Sequence, residues 1–120
     1  MIPKFRAWDK EKELMGEVVQ INFEIDTIEY VAFTDLYVWS NFEKVELMQS
    51  TGLQDKNGVE IFEGDIVKRF DKLIEVVEWN DKKGWWCLND GSIGLTTLGQ
   101  WHQAIEIIGN IYENKELLNE

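Results

Sequence analysis

The chain has 120 residues, a length typical of one domain or of one domain with a small appended subdomain. Its 23 acidic and 12 basic residues give a net charge of −11, which argues against binding to duplex nucleic acid, because phosphate contacts need aligned Lys and Arg side chains. Cys87 is the only cysteine, and the sequence shows neither a signal peptide nor an apolar run of about 18 residues, so it predicts a cytoplasmic protein without a disulfide or a membrane span.

The first fifty residues are predicted to form strands. Ile2 to Trp8 alternates, with Phe5 and Ala7 on its apolar face, and Asp9 to Glu13 is a run of charged residues that predicts a solvated loop. Leu14 to Ile28 has a period of two that predicts one long strand region with an apolar face beginning at Val19 and a turn at its end. Further strands or loop pieces are predicted at Ile28–Phe33 and Leu36–Trp39, with a connection at Thr34–Asp35.

The segment from Glu43 to Met48 fits two patterns. Phe42, Val45 and Met48 have helical spacing, whereas Val45 and Leu47 fit a strand face. We predict a strand that runs into Gln49, preceded by a short turn that Ser40 and Asn41 cap.

The densest turn signal lies between Thr51 and Val67. Asp55, Asn57 and Gly58 predict a tight turn, because Asn and Gly tolerate the left-handed backbone region. A second turn is predicted at Glu63-Gly64-Asp65, with a strand at Val59–Phe62 between the two.

The second half is predicted to be a small meander or an SH3-like barrel with a short C-terminal turn or helix, so the fold class is all-β. We predict a single domain over residues 1–120, with the alternative of two subdomains that meet near residues 49–52. The predicted strands are Ile66–Phe70, Leu73–Trp79, Gly84–Leu88, a weakly patterned Ser92–Leu98, and Ala104–Tyr112 with a bulge or bend at Gly109. The predicted turns are Asp71–Lys72, Asn80–Gly84, Asn89–Gly91 and a last turn at Lys115–Asn119 that Asn114 caps. Gly99–Gln103 is predicted to be irregular.

Four carboxylates, those of Asp55, Glu60, Glu63 and Asp65, are close in sequence. They match no known metal loop, so we interpret Asp55 and Asp65 as turn residues that accept backbone N–H groups. The alternative is a divalent cation site. No catalytic, cofactor-binding or metal-binding residue is assigned, since the sole histidine, His102, has no orienting partner, and Cys87 is interpreted as a buried small side chain.

Six tryptophans are an unusual number for this length. Trp85 and Trp86 are adjacent in a predicted strand, so one is expected to be buried and the other half-exposed, where it can anchor a partner. Trp101, together with Trp8, Trp39 and Trp79, is assigned to core or intersubunit contacts.

Three segments in order resemble the YopX family, small proteins of phages and prophages of Gram-positive bacteria. They are Lys4–Asp9, Thr51–Val67 and Glu106–Asn114 followed by Glu116-Leu117-Leu118. The resemblance implies a phage or prophage origin, a location inside the bacterial host cell and a small β-rich fold. It assigns no activity to particular residues.

The leading functional hypothesis is a non-enzymatic interaction or assembly module that forms a homo-oligomer and contacts a host or phage protein. One alternative is a metal-dependent hydrolase or nuclease that uses the carboxylates of residues 55–65. The other is an acidic mimic of nucleic acid that inhibits a host protein.

Overall fold

The structure is a computed structural model that describes residues 3–33, 35–91 and 96–118. The fold is all-β, as predicted. The strands are β1 (Phe5–Asp9), β2 (Leu14–Asn22), β3 (Thr27–Ala32), β4 (Leu36–Asn41), β5 (Val45–Gln54), β6 (Glu60–Phe62), β7 (Asp65–Arg69), β8 (Leu73–Asn80), β9 (Trp85–Asn89), β10 (Thr96–Thr97) and β11 (Ile105–Asn110). A one-turn helix, α1 (Leu98–Trp101), and 3-10 turns at Phe42–Lys44, His102–Ala104 and Lys115–Leu118 complete the described elements.

Residues 1–50 and residues 51–120 form two compact units. In the first unit the strands lie in the order β4-β3-β2-β1-β5, all antiparallel. Alternate residues of β3 are buried, which places one face of the sheet on an apolar core. The fully buried members of this core are Ala7, Ile28, Tyr30, Ala32 and Val45.

The predicted strand region from Leu14 to Ile28 is wrong in its extent. β2 ends at Asn22, because the Asn22 side-chain oxygen accepts the backbone N–H groups of Glu24 and Ile25, at 2.9 and 3.4 Å, and turns the chain. Ile25 is therefore exposed in a turn instead of lying on a strand face.

The period of two also fails inside β2. Val18 pairs with Tyr30 and Gln20 pairs with Glu29, so Val19 is the extra residue of a β-bulge. As a result Val18 packs against the core, whereas Val19 is exposed, the reverse of the predicted face.

Asp9 was predicted to lie in a solvated loop, and this is wrong. It is the last residue of β1 and is fully buried. Its Oδ2 accepts the Tyr30 hydroxyl at 2.6 Å, and its Oδ1 accepts the backbone N–H groups of Glu11 and Lys12, each at 3.0 Å. The hydrogen bonds compensate the loss of water around the carboxylate.

The strand predicted at Val45 is confirmed and is longer than expected, since β5 continues to Gln54. A 3-10 turn at Phe42–Lys44 precedes it, as predicted, but the Asn41 side chain makes no capping hydrogen bond. Ser40 is instead buried in β4.

The second unit contains the predicted meander, with strand order β10-β9-β8-β7-β11. β6 lies beside the end of β5, where the Thr51 hydroxyl donates to the Ile61 carbonyl at 2.8 Å. The fully buried core side chains of this unit are Ile61, Val67, Val77, Leu88, Leu98 and Ile105.

The turn predicted at Asp71–Lys72 is confirmed and begins one residue earlier, with φ angles of +58° at Phe70 and +60° at Asp71. Two other local predictions in this unit need correction. The segment Gly99–Gln103, predicted to be irregular, is helical. It belongs to α1 and to the 3-10 turn at His102–Ala104 that follows. Of the weakly patterned segment, only Thr96–Thr97 is seen as a strand, and residues 92–95 lie outside the described part of the chain.

The bulge predicted in the last strand is confirmed, with a register shift between Ile107 and Gly109. A Cβ on Gly109 would lie 2.6 Å from the Asn114 side-chain oxygen, so only glycine fits. That oxygen accepts the Asn110 backbone N–H at 3.1 Å, so the Asn114 side chain fixes the end of β11 instead of capping the turn that follows it.

Candidate functional site

The two predicted turns of residues 51–67 are confirmed. The Asp55 carbonyl accepts the Gly58 N–H at 3.0 Å, and Gly58 has a φ of +79°, whereas Asn57 does not take a positive φ. Gly64 has a φ of +86°, and the Asp65 carboxylate accepts the Phe62 N–H at 2.8 Å.

Asp55 is a structural residue. Its Oδ1 accepts the backbone N–H groups of Asn57 and Val59, each at 2.9 Å, and its Oδ2 accepts that of Ile107 at 3.0 Å. The carboxylate therefore fastens the turn to β11. Glu60 and Glu63 are half-buried. In the part of the chain that the structure describes, no three His, Cys, Asp or Glu side chains lie close enough to hold a metal ion.

Trp79, Trp85 and Trp86 come together at the end of the β8–β9 hairpin. The register places Trp79 opposite Trp86, and their rings meet edge to face with centroids 5.1 Å apart. Trp86 packs against the core of the second unit, whereas 45% of Trp85 and 45% of Trp79 remain exposed. The expectation of a half-exposed residue is confirmed at Trp85, whereas Trp86, expected to be buried, is partly buried.

An open groove of about 420 Å³ lies beside these rings. The remaining lining residues are Leu53, Gly84, Thr97, Gly99 and Gln100. We call these residues and the three tryptophans the aromatic groove. Its polar members include Thr97, whose hydroxyl donates to Gln100 Oε1 at 2.8 Å.

Trp79 was assigned to core or intersubunit contacts, and its place in the groove was missed. The signal was available, because the turn at Asn80–Gly84 fixes the hairpin register that pairs Trp79 with Trp86. The Asn80 side chain accepts the N–H groups of Lys82 and Lys83, each at 3.0 Å, which stabilises this turn. The groove residues from β5 and α1 had no local signal, because they meet the hairpin only in the folded chain.

Trp101 lies in a different cluster. Its ring meets that of Phe70 edge to face at 5.4 Å, and the Arg69 guanidinium lies 4.6 Å from the Trp101 ring centroid. The structure therefore does not bring Trp101 together with Trp85 and Trp86.

The charged side chain of Arg69 is withdrawn from solvent. Arg69 is buried, with its Nε 3.0 Å from Glu75 Oε1 and its Nη2 donating to Oε2 at 3.1 Å. Burial raises the pKa of Glu75 even though the Arg69 charge and hydrogen bond act to lower it. The strand period held a signal for this pair, since Glu75 shares a face of β8 with buried Val77.

Cys87 and His102 are the side chains considered as a nucleophile or a base. Cys87 is buried in β9, as predicted, and burial, with a smaller effect of Glu78, raises the pKa of its thiol. His102 is half-buried, and its Nδ1 lies 2.7 Å from the Gln54 carbonyl oxygen.

The family described as YopX protein matches residues 4–119 of the chain. The chain belongs to the YopX family. The resemblance seen in three segments thus extends over nearly the whole chain. The crystal structure of protein EF1440 from Enterococcus faecalis is similar to this YopX-family chain, with a TM-score of 0.68 and 29% sequence identity over 98% of this chain and 99% of that one. No curated protein matches the chain. In the described residues, no helix has the length and apolar character needed to cross a bilayer.

Proposed function

We propose that this YopX-family chain is a non-enzymatic, phage- or prophage-encoded interaction module that works in the bacterial cytoplasm. The observation that carries the proposal is the aromatic groove, where two tryptophans stay half-exposed beside an open apolar depression. Tryptophan is enriched among the residues that dominate binding energy, and burial of an indole removes a large apolar area from water.

The groove fits an apolar side chain presented by a partner protein of the host or the phage. Indole rings and Leu53 provide apolar walls, and Thr97 and Gln100 add polar groups. An apolar centre with a polar rim is the usual anatomy of a protein interface. The acidic surface of the chain favours a partner with basic residues around the inserted side chain.

Affinity capture from bacterial host lysate tests the groove. We expect the wild-type chain to retain a partner that Trp85→Ser loses. The matched control is Phe33→Asn, which removes an exposed aromatic ring at a φ of +53°, a conformation that Asn tolerates. Equal recovery of every bound protein by the wild type and Trp85→Ser would overturn the groove as the binding site.

We further propose that the chain self-associates. The support is the number of large apolar side chains that remain exposed in both units, among them Phe23, Tyr37, Trp39, Phe70, Trp79 and Trp85. Light scattering after size exclusion should give a multiple of the 14.1 kDa chain mass. A strict monomer at high micromolar concentration contradicts self-association.

The two alternatives have direct tests. The hydrolase or nuclease alternative needs metal binding near Asp55, whose carboxylate already accepts three backbone N–H groups. Calorimetric titration with Mg²⁺, Mn²⁺ and Zn²⁺ should therefore show no heat of binding, and saturable heat would favour a metal enzyme. Recovery of a DNA-binding protein that free DNA displaces would favour the nucleic-acid mimic.

A further inference from the structure

The strand β4 forms an edge of the sheet in the first unit. It pairs with β3 through six consecutive residue pairs without a bulge. It stands at the end of the strand order, and among the described strands none lies on its other side. An edge strand of this kind presents a row of backbone N–H and C=O groups that can pair with another strand.

The edge formed by β11 in the second unit is protected in ways that β4 is not. The Ile107 N–H donates to Asp55, and the Ile105 carbonyl accepts the Lys56 N–H at 3.0 Å, so the turn at Asp55–Gly58 covers β11. The bulge between Ile107 and Gly109 interrupts it further. Covering an edge and bulging it are two established protections against strand pairing.

β4 also lacks the third protection, which is charge. Its sequence, Leu36-Tyr-Val-Trp-Ser-Asn41, contains no charged residue and no proline, although residues 21–50 carry six acidic residues and one basic residue. Tyr37 is 58% exposed and Trp39 is 51% exposed. The strand is therefore a neutral, aromatic edge on an acidic unit.

We propose that β4 of one copy pairs with β4 of a second copy, antiparallel about a two-fold axis. This inference rests on the proposed self-association and names its surface. Two copies of the same acidic protein repel each other less where the surface between them is neutral, and β4 supplies such a surface on both. A two-fold axis uses the same strand twice, which a self-complementary sequence permits.

The side chains select one register, with Val38 opposite Val38 of the partner subunit. Tyr37 then lies opposite Trp39 of the partner subunit, and Trp39 lies opposite Tyr37 of the partner subunit. Both positions form aromatic cross-strand pairs, a favourable combination. Asp35 lies opposite Asn41 of the partner subunit, so no like charges meet.

Neighbouring registers are less favourable. A register centred on Trp39 places Asp35 against Glu43 of the partner subunit, which is repulsive. A register centred on Tyr37 places Asp35 against Trp39 of the partner subunit and leaves one aromatic pair. A shift by a single residue pairs the outer face of one strand with the inner face of the other.

A cysteine at the axis tests the register. In Val38→Cys the two thiols lie directly opposite each other, at a Cα separation of about 4.5–5.5 Å that a disulfide bridges. In the control Leu36→Cys, the two cysteines lie about 14 Å apart along the strands, beyond disulfide reach. The native Cys87 is buried and does not compete. We expect oxidation to give a covalent dimer with Val38→Cys only, and its absence, or equal cross-linking of the control, overturns the centred register.

Charge substitution tests the interface independently of the cysteines. Two double variants place like charges opposite each other, Tyr37→Glu/Trp39→Glu and Tyr37→Lys/Trp39→Lys. Each variant alone should be a monomer, with half the mass of the wild-type dimer by light scattering. An equimolar mixture should regain the dimer, because each Glu then faces a Lys. Since both side chains are exposed, a circular dichroism spectrum like that of the wild type should accompany the loss.

The outcomes separate this inference from the proposed function. If wild type is a dimer that Trp85→Ser dissociates and the charge variants leave intact, self-association stands and the β4 interface is overturned. A monomeric wild type overturns self-association and this inference together, and leaves capture through the aromatic groove to be judged by its own experiment. With β4 as the interface, added salt should strengthen the wild-type dimer, because it screens the repulsion between two acidic copies.

Discussion

Asp9 and Tyr30 are buried side by side in the first unit, and their hydrogen bond links the stability of the fold to pH. Burial alone raises the pKa of Asp9, but the Tyr30 hydroxyl, the N–H groups of Lys12 and Glu11 and the Lys12 charge lower it below its ordinary value. A carboxyl whose pKa is lower in the folded state stabilises the fold above its unfolded pKa of about 3.9. That contribution is lost as the pH falls through the folded pKa.

Tyr30→Phe should therefore destabilise the protein in a pH-dependent manner. At pH 7 we expect the free energy of unfolding to fall by about 1.5–3 kcal/mol, the usual contribution of a hydrogen bond to a charged group. Once acid has protonated Asp9 in both proteins, the difference in the free energy of unfolding between wild type and Tyr30→Phe should shrink. Urea unfolding at neutral and at acidic pH measures this difference under both conditions. Tyr37→Phe is the control, since it removes a hydroxyl from a side chain that is exposed in the single chain and keeps the aromatic ring that the proposed β4 pairing uses. A pH-independent loss in Tyr30→Phe would contradict the role of the Asp9 carboxylate.

Gly64 has a left-handed backbone conformation and hydrogen bonds on both sides of its peptide unit. It is buried, its φ is +86°, its N–H donates to the Val77 carbonyl at 2.8 Å and its carbonyl accepts the Ile111 N–H at 2.9 Å. A β-branched side chain is strongly disfavoured at such a φ.

Gly64→Val should thus lower the free energy of unfolding by more than about 1 kcal/mol, and Gly58→Val, at a φ of +79°, should do the same. Gly99→Ala is the matched control, because a Cβ at Gly99 meets nothing within 4 Å and the residue lies in α1. Thermal melting compares the three variants. A Gly64→Val protein that melts like Gly99→Ala would show that the turn does not need glycine.

At the scale of elements, the Arg69–Glu75 pair joins the adjacent strands β7 and β8. Both side chains are buried, and Arg69 also lies over the rings of Phe70 and Trp101. Removal of one partner leaves a buried charge without compensation, which usually costs about 3–5 kcal/mol.

Glu75→Leu should therefore be strongly destabilising, and Arg69→Met/Glu75→Leu should recover most of the loss, because no buried charge is left. Chemical denaturation of the two single variants and the double variant gives the coupling energy. Additive losses in the double variant would show that the two charges act independently.

The elements that could be predicted from sequence are those that local chemistry determines. The hairpin of β8 and β9 follows from two residues of its own turn. The Asn80 side chain accepts the Lys82 N–H, and Gly84 takes a φ of +74°. The bulge at Val19 and the left-handed Phe70 had no such signal, because a β-branched and an aromatic residue do not favour those backbone conformations. The aromatic groove shows both cases, since Trp85 and Trp86 were predicted and Leu53 was not.

At the scale of the whole molecule, charge sets which partners the protein can bind. The net charge is −11, and two of the bases near the N-terminus, Lys10 and Lys12, lie close to acids in the fold. The Lys10 ammonium lies 3.5 Å from Glu46, and the Lys12 ammonium lies 3.6 Å from Asp9. The first of these pairs is exposed and contributes little to stability, but both place a negative charge beside each cation.

The protein should consequently not bind duplex DNA at physiological salt. Binding to DNA is driven by release of counterions from phosphates that Lys and Arg neutralise. The logarithm of the binding constant therefore falls with the logarithm of salt concentration, with a slope of about 0.9 for each neutralised phosphate. Cations that stand next to carboxylates cannot present the aligned positive charge that such a slope needs. Fluorescence anisotropy with labelled duplex in about 150 mM salt should show no saturable change. Salt-sensitive binding at or below about 1 μM, tighter than the usual non-specific range, would contradict the prediction. Loss of that binding in Lys10→Glu/Lys12→Glu would then place the contact on the turn that follows β1.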